Sequence, residues 1–138
     1  MKQNQGQKPR DCAALLRAAG VRPTRPRLML AAQLFDGQHK HVTAEQLHAA
    51  VTKTGASLAL ATVYNNLHQF TAAGLLRQVV VEAGKIYFDT NISAHHHFFD
   101  MQSGYLTDVP QQAVVLRQLP PAPAGRTIDK VDVIIRLR

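Results

Sequence analysis

His95, His96 and His97 stand in a row inside a 138-residue chain that has seven histidines and one cysteine. Three consecutive imidazoles within a sequence point to a metal ion or haem, because imidazole is the commonest protein metal ligand. If the run is extended, successive side chains face opposite ways. His95 and His97 then grip one ion from the same side, while His96 points elsewhere and serves a second ligand. The competing reading of such a run is a solvated, histidine-rich loop. Cys12 is the single thiol, which excludes an intrachain disulfide and a zinc clamp of four cysteines. Any metal must therefore sit on nitrogen and oxygen, or use that one sulfur.

The elements that position these groups begin with an uneven charge distribution. Residues 1–88 hold 11 Lys plus Arg against 4 Asp plus Glu, whereas residues 89–138 hold 5 against 5, so all of the formal +7 lies in the first two thirds. A basic block joined to a neutral one fits a polyanion-binding domain followed by a sensing or assembly domain. A 46% hydrophobic content suffices for a buried interior. No run approaches the roughly 18 uninterrupted apolar residues of a membrane span, and the opening MKQNQGQKPRD is polar and basic without an apolar signal core. The expectation is a cytoplasmic protein that does not engage a membrane.

Along the chain, Asp11 is placed to cap a short helix carrying Leu15 and Leu16, and Gly20 ends it. Thr24 caps a second helix in which Leu28, Ala31, Leu34 and Phe35 recur at three- and four-residue steps, before Asp36-Gly37 breaks it. Thr43 with Gln46 has the capping-box pattern, and Leu47 with Val51 gives a third helix its buried face. A fourth helix, from about Leu60 to Ala73, puts Val63, Leu67 and Phe70 on one side and Ala61, Asn65, His68 and Gln69 on the other. That outer face is polar yet uncharged. An idle surface helix carries Lys and Glu; a helix that reads base edges carries Asn and Gln, with Tyr64 on its flank able to press on a thymine methyl. Arg77–Val81 and Ile86–Asp89 alternate as strands around the tight turn Glu82-Ala83-Gly84-Lys85. Three helices, a reading helix and a basic-tipped hairpin make a winged helix-turn-helix.

The segments TRPRLML, HVTAEQLH, LATVYNNLHQF, AGLL and GKIYFD, followed by the histidine run, resemble the ferric uptake regulator (Fur) superfamily over roughly residues 12–138. Within it the chain is most similar to the iron response regulator branch, Irr, on the strength of HHHFFD, the missing cysteine pairs and the closing VDVIIRLR. The resemblance implies a transcription regulator, not an enzyme, and mainly a repressor: a homodimer that binds operator DNA and links occupancy to iron or haem. By the same resemblance Tyr64 is the base-contacting tyrosine. Asn65 stands where Fur itself usually has arginine, so sequence preference should differ. Arg17, Arg22, Arg25 and Arg27 fall where relatives touch phosphates, Lys85 lies at the wing tip, and His68 completes the DNA-facing set.

The metal ligands implied by the resemblance are His41, Asp89, His95, His97 and Asp108, clamping one ion between the two halves of the chain. Such nitrogen and oxygen donors suit Fe(II), Mn or Zn. Asp108 has an alternative role as the cap of a helix starting near Pro110. His39 and His48 read as surface residues, as does His68 apart from its place in the DNA-facing set. Relatives hold a structural zinc with two CxxC pairs, but the first pair's positions here are Asp100 and Ser103, so that site is absent. Some Irr proteins carry a Cys-Pro haem motif, whereas Cys12 precedes Ala13 and reads as a packing residue. Haem, if bound, must use His95, His96 and His97, and a haem-delivery protein then joins the partners.

The resulting expectation is an α+β chain, with a winged-helix DNA-binding domain over residues 1–89 and a small α/β dimerisation and sensing domain over 90–138. The latter is read as strands at Phe98–Met101 and Tyr105–Thr107, a helix from about Pro110 to Gln118, and a closing strand from Val131 to Arg138. Pairing across a twofold axis would space the two reading helices by about one DNA turn, roughly 34 to 36 Å. A peroxide or zinc sensor of the same superfamily, a haem-buffering protein and a hydrolytic metalloenzyme are the rival functions. The last lacks a nearby Glu or second His at helical catalytic spacing.

Overall fold

A computed structural model describes residues 11–138; the opening ten, on which the reading of a missing signal core falls, lie outside the described residues. The chain divides into two compact units, the first ending at Ile92 and the second spanning Ser93–Arg138. Thr90 belongs to the first because its N–H donates to the Lys40 carbonyl (3.0 Å) and its hydroxyl accepts from the Lys40 N–H (2.8 Å).

Four helices build the first unit: α1 (Cys12–Ala18), α2 (Arg25–Leu34), α3 (Ala44–Lys53) and α4 (Leu60–Ala72). Three begin on the side chains expected of them. Asp11 accepts from the Ala14 N–H and Thr24 from the Arg27 N–H, while Thr43 and Gln46 complete a reciprocal capping box. Removing the hydroxyl in Thr43→Ala is expected to cost about 1 kcal/mol, measurable as a lower midpoint in urea unfolding. Gly20, at φ +77°, turns the chain out of α1 through a conformation that a Cβ disfavours.

The helices bury Leu16, Leu30, Leu34, Val51, Val63, Leu67 and Phe70 against Phe88, with Cys12 packed at the edge of this core. The periodic stripe of α4 holds, with one polar member. Asn66 falls on the same side as Val63, Leu67 and Phe70 and is only 9% exposed. A three-stranded antiparallel sheet flanks the helices in the order β1 (His41–Val42), β3 (Lys85–Asp89), β2 (Arg77–Glu82). The hairpin turns through Ala83 and Gly84, one residue tighter on each side than the sequence suggests, because Glu82 and Lys85 still pair, after a register shift between Val80 and Glu82, and form an ion pair at 3.3 Å.

The second unit is a three-stranded sheet, order β5 (Leu106–Pro110), β4 (His95–Asp100), β6 (Ile134–Leu137), with β4 central and β6 parallel to it. The expected strand boundaries shift: β4 takes in the histidine run, β5 reaches Pro110, and the closing strand forms only from Ile134. The helix expected near 110–118 does not form. Pro110 is still in register opposite His95, a single 3-10 turn follows at Gln111–Ala113, and Val114 is already extended. Val115 is 86% exposed, and Leu116 and Leu119 are also exposed, so within one chain such a helix has nothing to bury its apolar side against.

The turn between β4 and β5 occupies the cysteine-free position. There the Asp100 carboxylate accepts from the Gln102 N–H (2.8 Å) and the Ser103 N–H (3.2 Å), which hold it below the usual carboxylate range. No described helix is long and apolar enough to cross a membrane.

Candidate metal centre and nucleic-acid surface

Two sets of donors form, one in each unit, and each rests on a cross-strand pair. In the first unit β1 pairs with β3 so that His41 lies directly opposite Asp89. Opposed residues share a face, and the His41 Nε2 sits 3.1 Å from Asp89 Oδ2. Asp89 has no exposed surface, and its other oxygen accepts from the Asn91 N–H at 2.8 Å. A carboxylate that deeply enclosed is stable only with a cation or strong donors around it. The two-residue strand β1 creates this pair, and no periodicity could have announced so short an element.

In the second unit β4 and β5 place Asp108 directly opposite His97 and one diagonal from His95. Asp108 is therefore a strand residue facing the histidines and not a helix cap. Its Oδ1 lies 3.2 Å from His95 Nε2 and 3.6 Å from His97 Nε2. One ligand atom from each of the three can be chosen so that all lie within 4.8 Å of one another. His95 Nδ1 is 2.6 Å from the Ser93 carbonyl oxygen, which can only accept, so Nδ1 carries the proton. In the neutral ring Nε2 then turns a lone pair toward a carboxylate oxygen. A metal ion between them would be met by both the nitrogen and the oxygen. His41 and Asp89 in one unit, and His95, His97 and Asp108 in the other, thus offer imidazole nitrogen and carboxylate oxygen, a donor chemistry that fits Zn, Mn or Fe(II).

The alternation expected of the run is realised. His96 is separated from its neighbours: its Nδ1 accepts from the Val133 N–H at 3.1 Å, which anchors the segment leading into β6. All three imidazoles are buried, at 5%, 5% and 1% exposure for His95, His96 and His97. The run is a central strand and not a solvated loop.

On the nucleic-acid side, Arg17, Arg22, Arg25 and Lys85 are exposed, as are Asn65 and His68 on α4. Arg27 is placed differently from a solvated phosphate contact. Its Nε donates to Asn66 Oδ1 (3.0 Å), Nη1 to the Arg22 carbonyl (2.9 Å) and Nη2 to Gln69 Oε1. The guanidinium ties α2 to α4 and draws Gln69 out of a purely outward role. His48 also departs from the expected surface position, being half-buried with Nε2 2.8 Å from the Leu58 carbonyl. Tyr64 is half-buried, stacks on His68 with ring centroids 6.4 Å apart, and donates its hydroxyl to Glu45 Oε1 at 2.8 Å. That bond holds the Glu45 carboxyl low and pushes the Tyr64 hydroxyl up.

Sequence reasoning missed Glu45 and Asn66. Asn66 was visible, since residues 63, 66, 67 and 70 follow one helical stripe and a polar member there demands a partner. Glu45 gave no signal, because its contact lies 19 positions away.

A family model described as the ferric uptake regulator family matches residues 18–133. The chain is 34% identical over 109 residues to the ferric uptake regulation protein of Klebsiella pneumoniae, covering 78% of this chain and 70% of that one. It is 33% identical over 104 residues to its counterpart from Pseudomonas aeruginosa, covering 75% of this chain and 78% of that one. The structure of the Pseudomonas aeruginosa ferric uptake regulator with manganese matches with a TM-score of 0.70 at 25% identity, covering 93% of this chain and 97% of that one. Members of this family are transcription regulators and not enzymes. From the reach of the family match across both units, and from these identities, the chain belongs to the ferric uptake regulator family.

Proposed function

We propose that this protein is a divalent-metal-responsive transcriptional repressor that binds operator DNA as a homodimer. The observation that carries the reading is the convergence of the buried His95 and His97 on the Asp108 carboxylate, a set of nitrogen and oxygen donors suited to a divalent cation. His41 and Asp89, opposed across β1 and β3 in the first unit, are the further candidate ligands. A bound divalent ion would supply the positive charge that these imidazole nitrogens and carboxylate oxygens share, and its occupancy would set DNA affinity. In this reading the first unit meets DNA through the basic residues Arg17, Arg22, Arg25 and Lys85 and through Tyr64, Asn65 and His68 on α4. The second unit mediates dimerisation, which agrees with the exposed apolar side chains of Met101, Tyr105, Val115 and Leu137.

The test is a gel-shift titration with a duplex enriched by the protein from a random library, run with chelator and then with added Mn(II), Fe(II) or Zn(II). Binding that appears with metal and vanishes with chelator is expected. Equal binding in both conditions would remove the sensing role.

The finer reading is an Irr-like regulator of iron and haem genes. It is supported by the HHHFFD run, by the missing cysteine pairs, and by the separation of His96 from the two histidines that face Asp108. Haem ligation would then fall to His96 through Nε2, leaving His95 and His97 to the metal. A haem titration read by absorbance should lose its spectral shift in His96→Ala and keep it in His97→Ala. A shift absent from the wild type would discard haem and leave the metal reading intact. A peroxide sensor on the same ligands would instead gain about 16 mass units on a histidine after Fe(II) and peroxide.

A further inference from the structure

Among residues 11–88 the carboxylates are Asp11, Asp36, Glu45 and Glu82. Three have local tasks: Asp11 caps α1, Asp36 pairs with Lys40 at 2.7 Å, and Glu82 pairs with Lys85. Glu45 lies in the first turn of α3, where a negative charge suits the helix N-terminus, and alone among the four it also accepts from the hydroxyl of Tyr64 on another helix. The pair lies in a groove lined by Thr43, Glu45, Tyr64, Gly84, Lys85 and Ile86, between the first turn of α3, the flank of α4 and the tip of the hairpin. An exposed negative charge thus stands beside the tyrosine of the reading helix, in the two thirds of the chain that carry the whole positive excess. For a surface that only needed to hold phosphates, that placement is counterproductive.

We propose that Glu45 is a specificity-determining residue of the DNA-reading surface, fixing the Tyr64 hydroxyl in one position and repelling backbone phosphate from the groove. The proposal rests on the operator-binding reading above. The carboxylate accepts the phenolic proton in a charge-assisted bond, stronger than its neutral counterpart, so Tyr64 meets DNA already oriented. The same charge disfavours any register that puts a phosphate in the groove, while it can accept from an exocyclic amine such as cytosine N4 on a base edge. Cognate DNA recovers the repulsion through the oriented tyrosine; other DNA does not.

Glu45→Gln keeps an oxygen acceptor for Tyr64 and removes the charge, so the fold should be kept with only a small fall in melting temperature from the weaker bond and the lost charge in the first turn of α3. Metal-loaded protein is titrated with the library-enriched duplex and with a scrambled duplex of equal length, across salt. The scrambled duplex is expected to bind about fivefold tighter to Glu45→Gln, the Coulomb scale for one charge a few ångströms from a phosphate in water. Its log-log salt slope should steepen by about 0.9, one additional neutralised phosphate. The enriched duplex should gain less than twofold, so discrimination falls. Tyr64→Phe should weaken the enriched duplex alone. Equal gains on both duplexes, no change on either, or equal loss in Tyr64→Phe would each overturn the proposal. A wild type that binds neither duplex would instead sink the operator-binding reading, and this inference with it.

Discussion

Replacing His97 by alanine is expected to weaken Mn(II) binding by about a hundredfold or more, beyond the 10- to 100-fold typical of losing a residue that merely supports a ligand. His97 lies opposite Asp108 in the β4–β5 register, is 1% exposed, and shares Asp108 with His95, so no neighbouring side chain can move in to replace its nitrogen. The adjacent His96→Ala provides the contrast. It removes the acceptor of the Val133 N–H and should cost about 1 kcal/mol of stability, yet leave Mn(II) affinity within about threefold of wild type. Calorimetric titration at neutral pH reads both variants. Comparable losses in the two variants, or wild-type affinity in His97→Ala, would place the ion elsewhere.

The second large effect concerns Arg27. Arg27→Lys should destabilise the protein by about 2 kcal/mol, because one ammonium cannot reproduce a fork that reaches Asn66, Gln69 and the Arg22 carbonyl together, and Asn66 Oδ1 is left in a mostly buried position. For a chain of this size that corresponds to a fall in melting temperature of roughly 5 °C. Arg25→Ala should behave in the opposite way. Arg25 is exposed, so melting should hold while the salt slope of DNA binding shrinks by about 0.9. If Arg27→Lys melted normally and only the salt slope changed, the guanidinium would be a phosphate contact and its ties to α4 incidental.

Much of the first unit is legible because its signals are local. Caps at Asp11, Thr24 and Thr43, glycines after helices and a 3.6-residue stripe each act within one or two turns, and the structure keeps them. The histidine run was equally readable: alternation along an extended strand is enough to separate His96 from His95 and His97. The error in the second unit has a related cause. Residues 110–118 carry apolar side chains at spacings compatible with a helix, but a helix that short needs a surface to bury them, and the neighbouring sheet claims Pro110 first.

The sequence by itself determined which residue types are available: imidazoles and carboxylates for a cation, a single thiol that rules out cysteine clamps, an uncharged polar face on the fourth helix, and a positive excess confined to the first two thirds. Only the tertiary structure decided which of them meet. The pairings of His41 with Asp89 and of His97 with Asp108 come from strand register, Arg27 is drawn to Asn66 across 39 positions, and Tyr64 finds Glu45 across 19. Register and helix packing are settled by burying the whole apolar surface at once. No local window of sequence contains that sum, so contacts distant along the chain stay silent until the core has closed.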